Sequence, residues 1–317
     1  MIVEPIVPDM NWPVPPSLAD SMKDMYDLWV FLDGRMVRGA EAGISVWDHG
    51  LLYGDGIYEG IRAYDGRLFK LEAHLARLFD SARAIQLTMP MTPEQFAGAI
   101  IATLQANNLK DAHIRPVVTR GPGKPGLDPR RVIRSSVLVL ASDAPLTFGD
   151  KAIRLLTSAI RRKAPLSIDG RIKSLNYLDN IMAKLQSNAF GADDALLLDP
   201  SGFVVEATAS NIFLVKNGKL TTPALTAALP GITRQVVLEI AAEGMGGVLE
   251  SSVSLSDLYT ADEVFIAGTA SEIVAVGEID GRTIADGKTG PLTAILQKKY
   301  RELTQTSGIL FLKNMER

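Results

Sequence analysis

The chain has 317 residues, of which 47% are hydrophobic and 22% are charged, and its formal net charge is −3. This length is enough for two globular domains of about 150 residues each. Lysine and arginine are scattered along the chain, which argues against a nucleic-acid-binding surface. The absence of cysteine excludes disulfides, thiolate nucleophiles and cysteine-ligated metals. The histidines His49, His74 and His113 lack the spacing of a metal site, so we expect no bound metal.

The N-terminal segment predicts neither export nor membrane insertion. Residues 1–24 include five prolines and show little periodicity, so we predict an N-terminal extension there. This segment has no basic region followed by an apolar run, as a signal peptide would. No window of the chain approaches the roughly 18 apolar residues of a membrane helix. We therefore expect a cytoplasmic protein without a membrane partner.

The first half of the chain alternates strands, helices and turns, and we predict a small N-terminal α/β domain over residues 25–142. An Asp33-Gly34 turn joins two alternating stretches as a hairpin. Thr92-Pro93-Glu94-Gln95 has the cap, proline and glutamine of a helix start. The other predicted elements are strands at 56–64, 113–119 and 132–141 and helices at 71–85 and 92–107.

A polar, proline-containing stretch at residues 143–150 predicts an interdomain linker. The large C-terminal domain would then cover residues 151–317. Its predicted strands lie at about 152–160, 194–199, 203–208, 211–216 and 263–267, and its helices at about 177–185, 232–243 and 291–303. Hairpins mix with helices and regular βαβ alternation is missing, so we predict α+β (mixed α/β) domains and not a doubly wound sheet.

Lys173 is the first candidate for chemistry. It lies between Ile172 and Leu175, just before a predicted amphipathic helix. Most lysines are solvated surface residues. A lysine at the end of an apolar segment is partly desolvated, however, and desolvation lowers its pKa and favours the neutral, nucleophilic amine. An amine of this kind can form a Schiff base.

Glu206 ends the strand-like run Phe203-Val204-Val205-Glu206 and precedes small polar residues. An exposed strand glutamate is the ordinary interpretation. The alternative is a buried carboxylate that faces a ring nitrogen and keeps it protonated, which pyridoxal phosphate chemistry requires.

Two turns and one arginine are candidates for binding a phosphate. Gly231-Ile232-Thr233 opens a helix after a proline, and free N–H groups at a helix N-terminus bind phosphate well. Thr269 lies in a Gly-Thr-Ala-Ser turn after a strand. Arg77 lies on the 71–85 helix beside its apolar face, where it is either a surface residue or a clamp on the phosphate. A plain helix cap and a plain turn remain alternatives for the two turns.

Taken together, these segments resemble class IV (fold type IV) pyridoxal-phosphate-dependent aminotransferases, and the branched-chain amino acid aminotransferases most of all. The resemblance extends from about Leu28 to Leu303. The segments that carry it are Asp48–Gly54, Tyr58–Tyr64, His74–Leu78, Lys173–Leu178, Glu206, Leu229–Arg234 and Gly268–Ile273.

The resemblance implies a fold, a cofactor and a partner. We expect two α/β domains with pyridoxal 5'-phosphate at their interface. We also expect a homodimer or higher homo-oligomer in which a loop of the neighbouring subunit completes the pocket.

The resemblance also implies roles for individual residues. Lys173 would form the Schiff base and move the substrate proton, and Glu206 would pair with the ring nitrogen. Tyr177 would lie beside the ring near its hydroxyl oxygen. The phosphate would be held by Arg77, Gly231, Ile232, Thr233 and Thr269. The substrate would be bound by Tyr53, Tyr58, Gly60, Arg62, Arg115, Thr269 and Ala270, with Arg115 and the Thr269–Ala270 turn receiving its carboxylate.

We expect a transaminase that moves the amino group of leucine, isoleucine or valine to 2-oxoglutarate by a ping-pong mechanism. The alternatives are a transaminase for D-amino acids or (R)-amines, an aminodeoxychorismate lyase of the same fold, and a cofactor-binding protein without turnover. His113 stands where many branched-chain enzymes have tyrosine, and Ala207 where a glycine is usual. The intact Lys173 and Glu206 argue against a protein without turnover.

Overall fold

The computed structural model describes residues 24–143, 145–149 and 151–311. The expected N-terminal extension therefore lies outside the described residues except for residue 24, as do residues 144 and 150 of the expected linker. The strands are β1 (Trp29–Leu32), β2 (Arg35–Arg38), β3 (Gly56–Tyr58), β4 (Ile61–Tyr64), β5 (Arg67–Leu68), β6 (Ala112–Thr119), β7 (Ser136–Ser142), β8 (Ile153–Arg161), β9 (Asp194–Leu198), β10 (Val204–Ala207), β11 (Asn211–Lys216), β12 (Lys219–Pro223), β13 (Val248–Ser251), β14 (Glu263–Gly268), β15 (Glu272–Ile279), β16 (Arg282–Thr283) and β17 (Ile309–Leu310). The helices are α1 (His49–Tyr53), α2 (Leu71–Ala84), α3 (Pro93–Ala106), α4 (Leu178–Ala189), α5 (Ile232–Ala242), α6 (Leu255–Tyr259) and α7 (Pro291–Thr306), with short 3-10 helices at Gly39–Glu41 and Pro129–Arg131.

The first sheet has the order β17-β5-β4-β6-β7-β1-β2, and β3 pairs with β6. The β1–β2 hairpin turns at Asp33 and Gly34, whose φ angles are 48° and 91°, which is the left-handed backbone that such a two-residue turn requires. Helices α2 and α3 bury their apolar faces on this sheet and form the first core. The capping box predicted at Thr92 is present, because Gln95 and Thr92 bond each other's backbone.

The second sheet has the order β10-β9-β8-β15-β14-β11-β12-β13. Strand β8 pairs in parallel with both β9 and β15, and most other pairs are antiparallel. Helices α5 and α7 cover one part of it, around Val236, Ile240, Leu296 and Tyr300, and α4 packs against β8 and β9. This mixed architecture confirms the predicted α+β class.

Two predicted strands need correction, and several elements, among them β12, β13 and α6, were not predicted. The strand predicted over 56–64 is divided into β3 and β4, although both pair with β6 in one continuous register. The Glu59 N–H donates to the Pro116 carbonyl at 2.9 Å, but Pro116 has no N–H with which to return the bond, so the ladder is interrupted there. The strand predicted from residue 132 begins at Ser136, after the Pro129–Arg131 turn. Strand β15 was not predicted, although it lies inside the second sheet. Its run Glu272–Ile279 is buried almost throughout, as β9 and β14 are, but Glu272 at its start and Gly277 inside it interrupt the continuous apolar run that would indicate a buried strand.

The two sheets meet at the segment that contains Lys173. The backbone N–H of Tyr58 donates to the Lys173 carbonyl at 3.0 Å, and the N–H of Leu175 donates to the Gly56 carbonyl at 2.9 Å. Strand β3 of the first sheet therefore fixes the backbone of a segment that follows β8 of the second sheet. Strand β17 also returns to the first sheet, where it pairs with β5, a contact that the predicted domain boundaries did not anticipate. The boundaries themselves stay a prediction.

Candidate active site

A cleft lies between the two sheets. Its walls come from β3 and β6 on one side, and from β10, the start of α5 and the β14–β15 turn on the other. Of the predicted cofactor residues, the cleft contacts Arg77, Lys173, Tyr177, Glu206, Gly231, Ile232, Thr233 and Thr269. Of the predicted substrate residues, it contacts Tyr58, Gly60, Arg115, Thr269 and Ala270.

Lys173 reaches into this cleft from a fixed backbone. Besides the bond to Tyr58, its N–H donates to the Ser81 hydroxyl of α2 at 3.2 Å. The Nζ atom lies 3.4 Å from the Tyr177 hydroxyl and 4.5 Å from the centre of the Tyr58 ring. Burial, and after it the positive charge of Arg77, lower the pKa of Lys173 to about 7. A large fraction of the amine is therefore neutral near pH 7 and can act as a nucleophile or base.

Glu206 is a buried carboxylate on the opposite wall, 4% exposed. Its Oε2 accepts a hydrogen bond from the Leu229 N–H at 3.1 Å. Its Oε1 lies 2.8 Å from Nε of Arg162. Burial raises the pKa of Glu206, and the guanidinium of Arg162 opposes that rise.

Arg77 lies at the end of the cleft where α5 begins. Its Nε and Nη2 donate to the two oxygens of Glu59 at 2.7 and 2.8 Å, and Nη1 donates to the Pro230 carbonyl at 2.7 Å. His74, one turn earlier on α2, contacts Glu59 at 2.8 Å. Together these contacts fix the guanidinium beside the first turn of α5.

The first turn of α5 leaves its N–H groups without a side-chain cap, because the N-cap residue is Gly231. A Cβ atom at Gly231 would lie 2.1 Å from Oδ1 of Asn211, so no other residue fits without displacement. Free N–H groups at a helix N-terminus attract anions. With Arg77 and the buried Thr233 beside them, these N–H groups could hold an anion at this end of the cleft.

The other end of the cleft combines aromatic and cationic groups. The guanidinium carbon of Arg115 lies 4.7 Å from the centre of the Tyr58 ring, and the Tyr58 and Tyr177 rings meet edge to face at 5.3 Å. Burial, and then Arg115, lower the pKa of His113 to about 4, so its imidazole is neutral near pH 7. A Cβ atom at Gly60 would lie 3.2 Å from Nε2 of His113, so the glycine keeps this end open.

Two predicted substrate residues do not reach the cleft within one chain. Tyr53 ends α1, is 37% exposed, and its hydroxyl accepts from the Gly126 N–H at 2.8 Å over a separate hollow. Arg62 is buried on β4, and its Nη1 donates to the Ala270 carbonyl at 3.3 Å. Arg62 thus supports the β14–β15 turn from behind.

Sequence reasoning missed Glu59, His74, Arg162 and Asn180. Glu59 and His74 hold Arg77, Arg162 contacts Glu206, and Asn180 bonds Arg162 and lines the cleft. The spacing of His74 and Arg77, one helical turn apart, was a usable signal. No local pattern marked Arg162, because its partners are brought together only by the fold.

The cleft fits a flat aromatic aldehyde that bears a ring nitrogen and a phosphate. It offers a neutral amine, a buried carboxylate opposite, and an anion site at one end.

Within the described part of the chain, no group of three His, Asp or Glu side chains could hold a metal ion. None of the helices described has the length and apolarity that crossing a bilayer requires.

Comparison with known families matches residues 56–279 to amino-transferase class IV, and the chain belongs to that family. A Methanocaldococcus jannaschii protein named "Putative branched-chain-amino-acid aminotransferase" is 48% identical over 281 residues, which are 88% of this chain and 98% of that protein. The branched-chain aminotransferase of Thermoproteus uzoniensis, solved with norvaline, has 37% identity and a TM-score of 0.84 over 88% of this chain and 95% of the other. The branched-chain amino acid aminotransferase of Escherichia coli has 32% identity and a TM-score of 0.85, with the same coverage of both chains.

These similarities confirm the family, the fold type IV architecture and the class of reaction. The chain is a pyridoxal-phosphate-dependent transaminase that resembles branched-chain aminotransferases. Its substrates are small amino acids and 2-oxo acids.

Proposed function

We propose that the enzyme moves the amino group of leucine, isoleucine or valine to 2-oxoglutarate by a ping-pong mechanism, with the cofactor held covalently by Lys173. The arrangement of Tyr58 and Arg115 at one end of the cleft supports this most directly. An aromatic face accepts an apolar side chain and a guanidinium accepts a carboxylate. One pocket can thus take leucine in one half-reaction and glutamate in the other.

The ligands of structural neighbours support the same pair of substrates. The T. uzoniensis enzyme was solved with norvaline. Another branched-chain amino acid aminotransferase, 34% identical to this chain, was solved with 4-methylvaleric acid and with N-(5'-phosphopyridoxyl)-L-glutamate. Norvaline and 4-methylvaleric acid are aliphatic, and L-glutamate is acidic. We infer that the cleft of this chain binds the same two kinds of substrate, aliphatic and acidic.

The residues of the cleft divide the chemical work. Pyridoxal phosphate, when bound, supplies an aldehyde that condenses with amines and a protonated ring that withdraws electrons from the substrate Cα. Lys173 Nζ, a large fraction of which is neutral near pH 7, would take the proton from the substrate Cα and pass it to the C4′ carbon of the cofactor. Glu206 would hold the proton on the ring nitrogen, and Tyr177 would donate to the ring oxygen from beside Lys173.

Binding of the phosphate would rest on Arg77, the N–H groups of Gly231, Ile232 and Thr233, and the Thr269 turn. Arg115 and the Thr269–Ala270 turn would receive the substrate carboxylate, while Tyr58 and Gly60 would shape the space for its side chain. We propose that Arg62 acts indirectly, by supporting Ala270.

We also propose that the enzyme works as a homodimer or larger homo-oligomer. Four apolar side chains form an exposed stripe at i, i+3, i+4 and i+7 on α4: Leu178, Ile181, Met182 and Leu185. The segment around α1 adds Trp47, Leu51 and Leu52. Clustered apolar side chains that are left exposed mark protein–protein contact sites, and we propose that Tyr53, which ends α1, lies at this interface.

The test is a set of half-reactions with the purified, cofactor-loaded enzyme. We expect L-leucine and L-glutamate each to abolish its visible absorbance and to leave one equivalent of the corresponding 2-oxo acid. The Lys173→Ala variant, loaded with the same cofactor, is the control.

Different results would favour the alternatives. A response to D-alanine or (R)-1-phenylethylamine without one to L-leucine would contradict the proposed substrates and favour the other stereochemistry. Release of pyruvate from aminodeoxychorismate without a 2-oxo acid acceptor would indicate the lyase.

A further inference from the structure

Arg162 is a buried arginine outside the cleft that contacts three side chains at once. It follows the last residue of β8 and is 5% exposed. Its Nε lies 2.8 Å from Oε1 of Glu206, and its Nη1 donates to Asp179 at 3.0 Å and to Asn180 at 3.1 Å. The Nε–H is not aligned with an acceptor, so the contact with Glu206 is mainly a charge–charge contact.

The positive charge of Arg162 mainly balances the negative charge of the Glu206 carboxylate. Asp179, the other carboxylate that Arg162 contacts, has a second cation, because Nζ of Lys163 lies 3.2 Å from its Oδ1. Lys163 also donates to the Asn176 carbonyl. Arg162 can therefore balance Glu206 while Lys163 balances Asp179.

Among the described residues, charged and polar groups face Glu206 from several elements that surround it. They are Arg162 after β8, Lys173 and Tyr177 before α4, Asn211 on β11 and the Leu229 N–H. The last two are neutral donors. Burial raises the pKa of Glu206, and Arg162 is the strongest of the groups that lower it.

Arg162 also connects two segments that line the cleft, the start of α4 after Tyr177 and the residues that follow Glu206. Asn180, which it holds, donates from Nδ2 to the Thr208 carbonyl at 2.7 Å. Asp179 and Asn180 lie in the first turn of α4, two and three residues after Tyr177, and Thr208 lies two residues beyond Glu206. A displacement of Arg162 would therefore move Tyr177 and Glu206 relative to each other.

We propose that Arg162 is a positioning residue that keeps the Glu206 carboxylate ionised and directed into the cleft. The catalytic consequence rests on the proposed function, since only an ionised Glu206 can hold a proton on the ring nitrogen of the cofactor. The effect of Arg162 on the ionisation of Glu206 involves only residues of this chain, so it can be measured without substrate.

The experiment follows the Glu206 carboxyl group in the apoenzyme labelled with 13C at glutamate carboxyls. Its infrared band is identified by its absence from Glu206→Gln. We expect an ionised Glu206 at pH 7 in the wild type. We expect Arg162→Met to raise its titration midpoint by about one pH unit or more, which is a tenfold change in proton affinity.

The matched controls separate charge from general disruption. Arg161→Met removes the neighbouring arginine, which is exposed and donates to the Ser158 carbonyl, and should leave the midpoint unchanged. Arg162→Gln keeps a donor for Asp179 and Asn180 but not the charge, and should raise the midpoint as Met does. If Arg162→Met does not fold, Arg162→Gln provides the test.

The functional readout is the pH profile of turnover. Arg162→Met should lower kcat about tenfold to a hundredfold at pH 7, recover part of it as Glu206 ionises at higher pH, and have no further effect in Glu206→Gln. A protonated Glu206 in the wild type at pH 7, or an unchanged midpoint in a folded Arg162 variant, would overturn the proposal. If no substrate is turned over, the proposed function fails, yet the carboxyl titration still decides on Arg162.

Discussion

Lys173 has a positive guanidinium on either side of it, Arg77 and Arg115, and it is enclosed by protein. Burial is the larger influence and Arg77 the next, and together they lower its pKa to about 7. Glu59 and Glu206 act in the opposite direction. At the residue scale, the reactivity of Lys173 is therefore set by its burial and by the charged groups that the fold places around its amine.

The lowered pKa predicts how fast the apoenzyme takes up pyridoxal phosphate. The neutral amine attacks the aldehyde, and a pKa lowered to about 7 makes that form dominant above pH 7. The uptake rate should rise about tenfold per pH unit below pH 7 and level off above it. Stopped-flow absorbance checks this, with Lys173→Ala as the control. A midpoint near the ordinary lysine pKa would contradict the assignment.

Glu59 illustrates the cost of leaving a buried charge unpaired. It is fully buried, and both of its oxygens are bonded by Arg77. Glu59→Ala should lower the free energy of unfolding of the apoenzyme by about 3–5 kcal/mol, because it leaves Arg77 buried without its counter-charge. Denaturant unfolding measures the loss. The matched control is Asp80→Ala, which breaks an exposed pair with Arg83 on the same helix and should have little effect. Equal stability of Glu59→Ala and wild type would contradict this.

At the scale of elements, three segments converge on the cleft with different tasks. Helix α2 directs His74, Arg77 and Ser81 towards it, spaced so that they share one helical face. Strand β3 holds the backbone of Lys173. The first turn of α5 provides free N–H groups, and Gly231 lets that turn approach Asn211.

The α5 turn predicts a specific sensitivity at Gly231. The Cβ atom of Gly231→Ala would overlap Asn211 Oδ1 and displace the N–H groups that we assign to the phosphate. We expect the dissociation constant for pyridoxal phosphate to rise about tenfold or more, or ~1.4 kcal/mol. Fluorescence titration of the apoenzyme gives this constant. Gly244→Ala, where a Cβ atom meets nothing within 4 Å, should bind as the wild type does, and equal constants for all three proteins would exclude the assigned role.

At the scale of the whole molecule, the cleft depends on two sheets being held together. Backbone bonds between β3 and the Lys173 segment join them on one side, and the bond from Arg62 to Ala270 joins them on another. The apolar stripe of α4 lies close in sequence to Tyr177. An interface on α4 would therefore also stabilise the position of Tyr177 in the cleft.

The proposed assembly can be tested on that stripe. Ile181→Glu places a charge within the apolar face of α4, where residue 181 is 54% exposed, and should shift a dimeric wild type to monomers. Sedimentation velocity measures the change. Ile295→Glu, a change at a similarly exposed isoleucine on α7 (50% exposed), should leave the assembly intact. A wild type that sediments as a monomer at micromolar concentration would contradict the proposal.

Local patterns were enough to predict much of this molecule. The hairpin at Asp33-Gly34, the capping box at Thr92 and the cleft positions of Lys173 and Glu206 depend on neighbouring residues or on recurring motifs. Strand β15 was missed, although β9 and β14 are buried as fully and were predicted, because Glu272 at its start and Gly277 inside it interrupt its apolar run. The pairing of Arg162 with Glu206 joins residues 44 positions apart, a distance in sequence that no local signal spans.

The most direct test of the account is to locate the lysine that binds the cofactor. The holoenzyme is reduced with borohydride, digested, and the phosphopyridoxyl group is mapped by mass spectrometry. We predict one label per chain, on the peptide that contains Lys173, and loss of that label in Lys173→Ala. A label on another lysine, such as Lys163, or an equal distribution over several lysines would contradict the assignment of the active site.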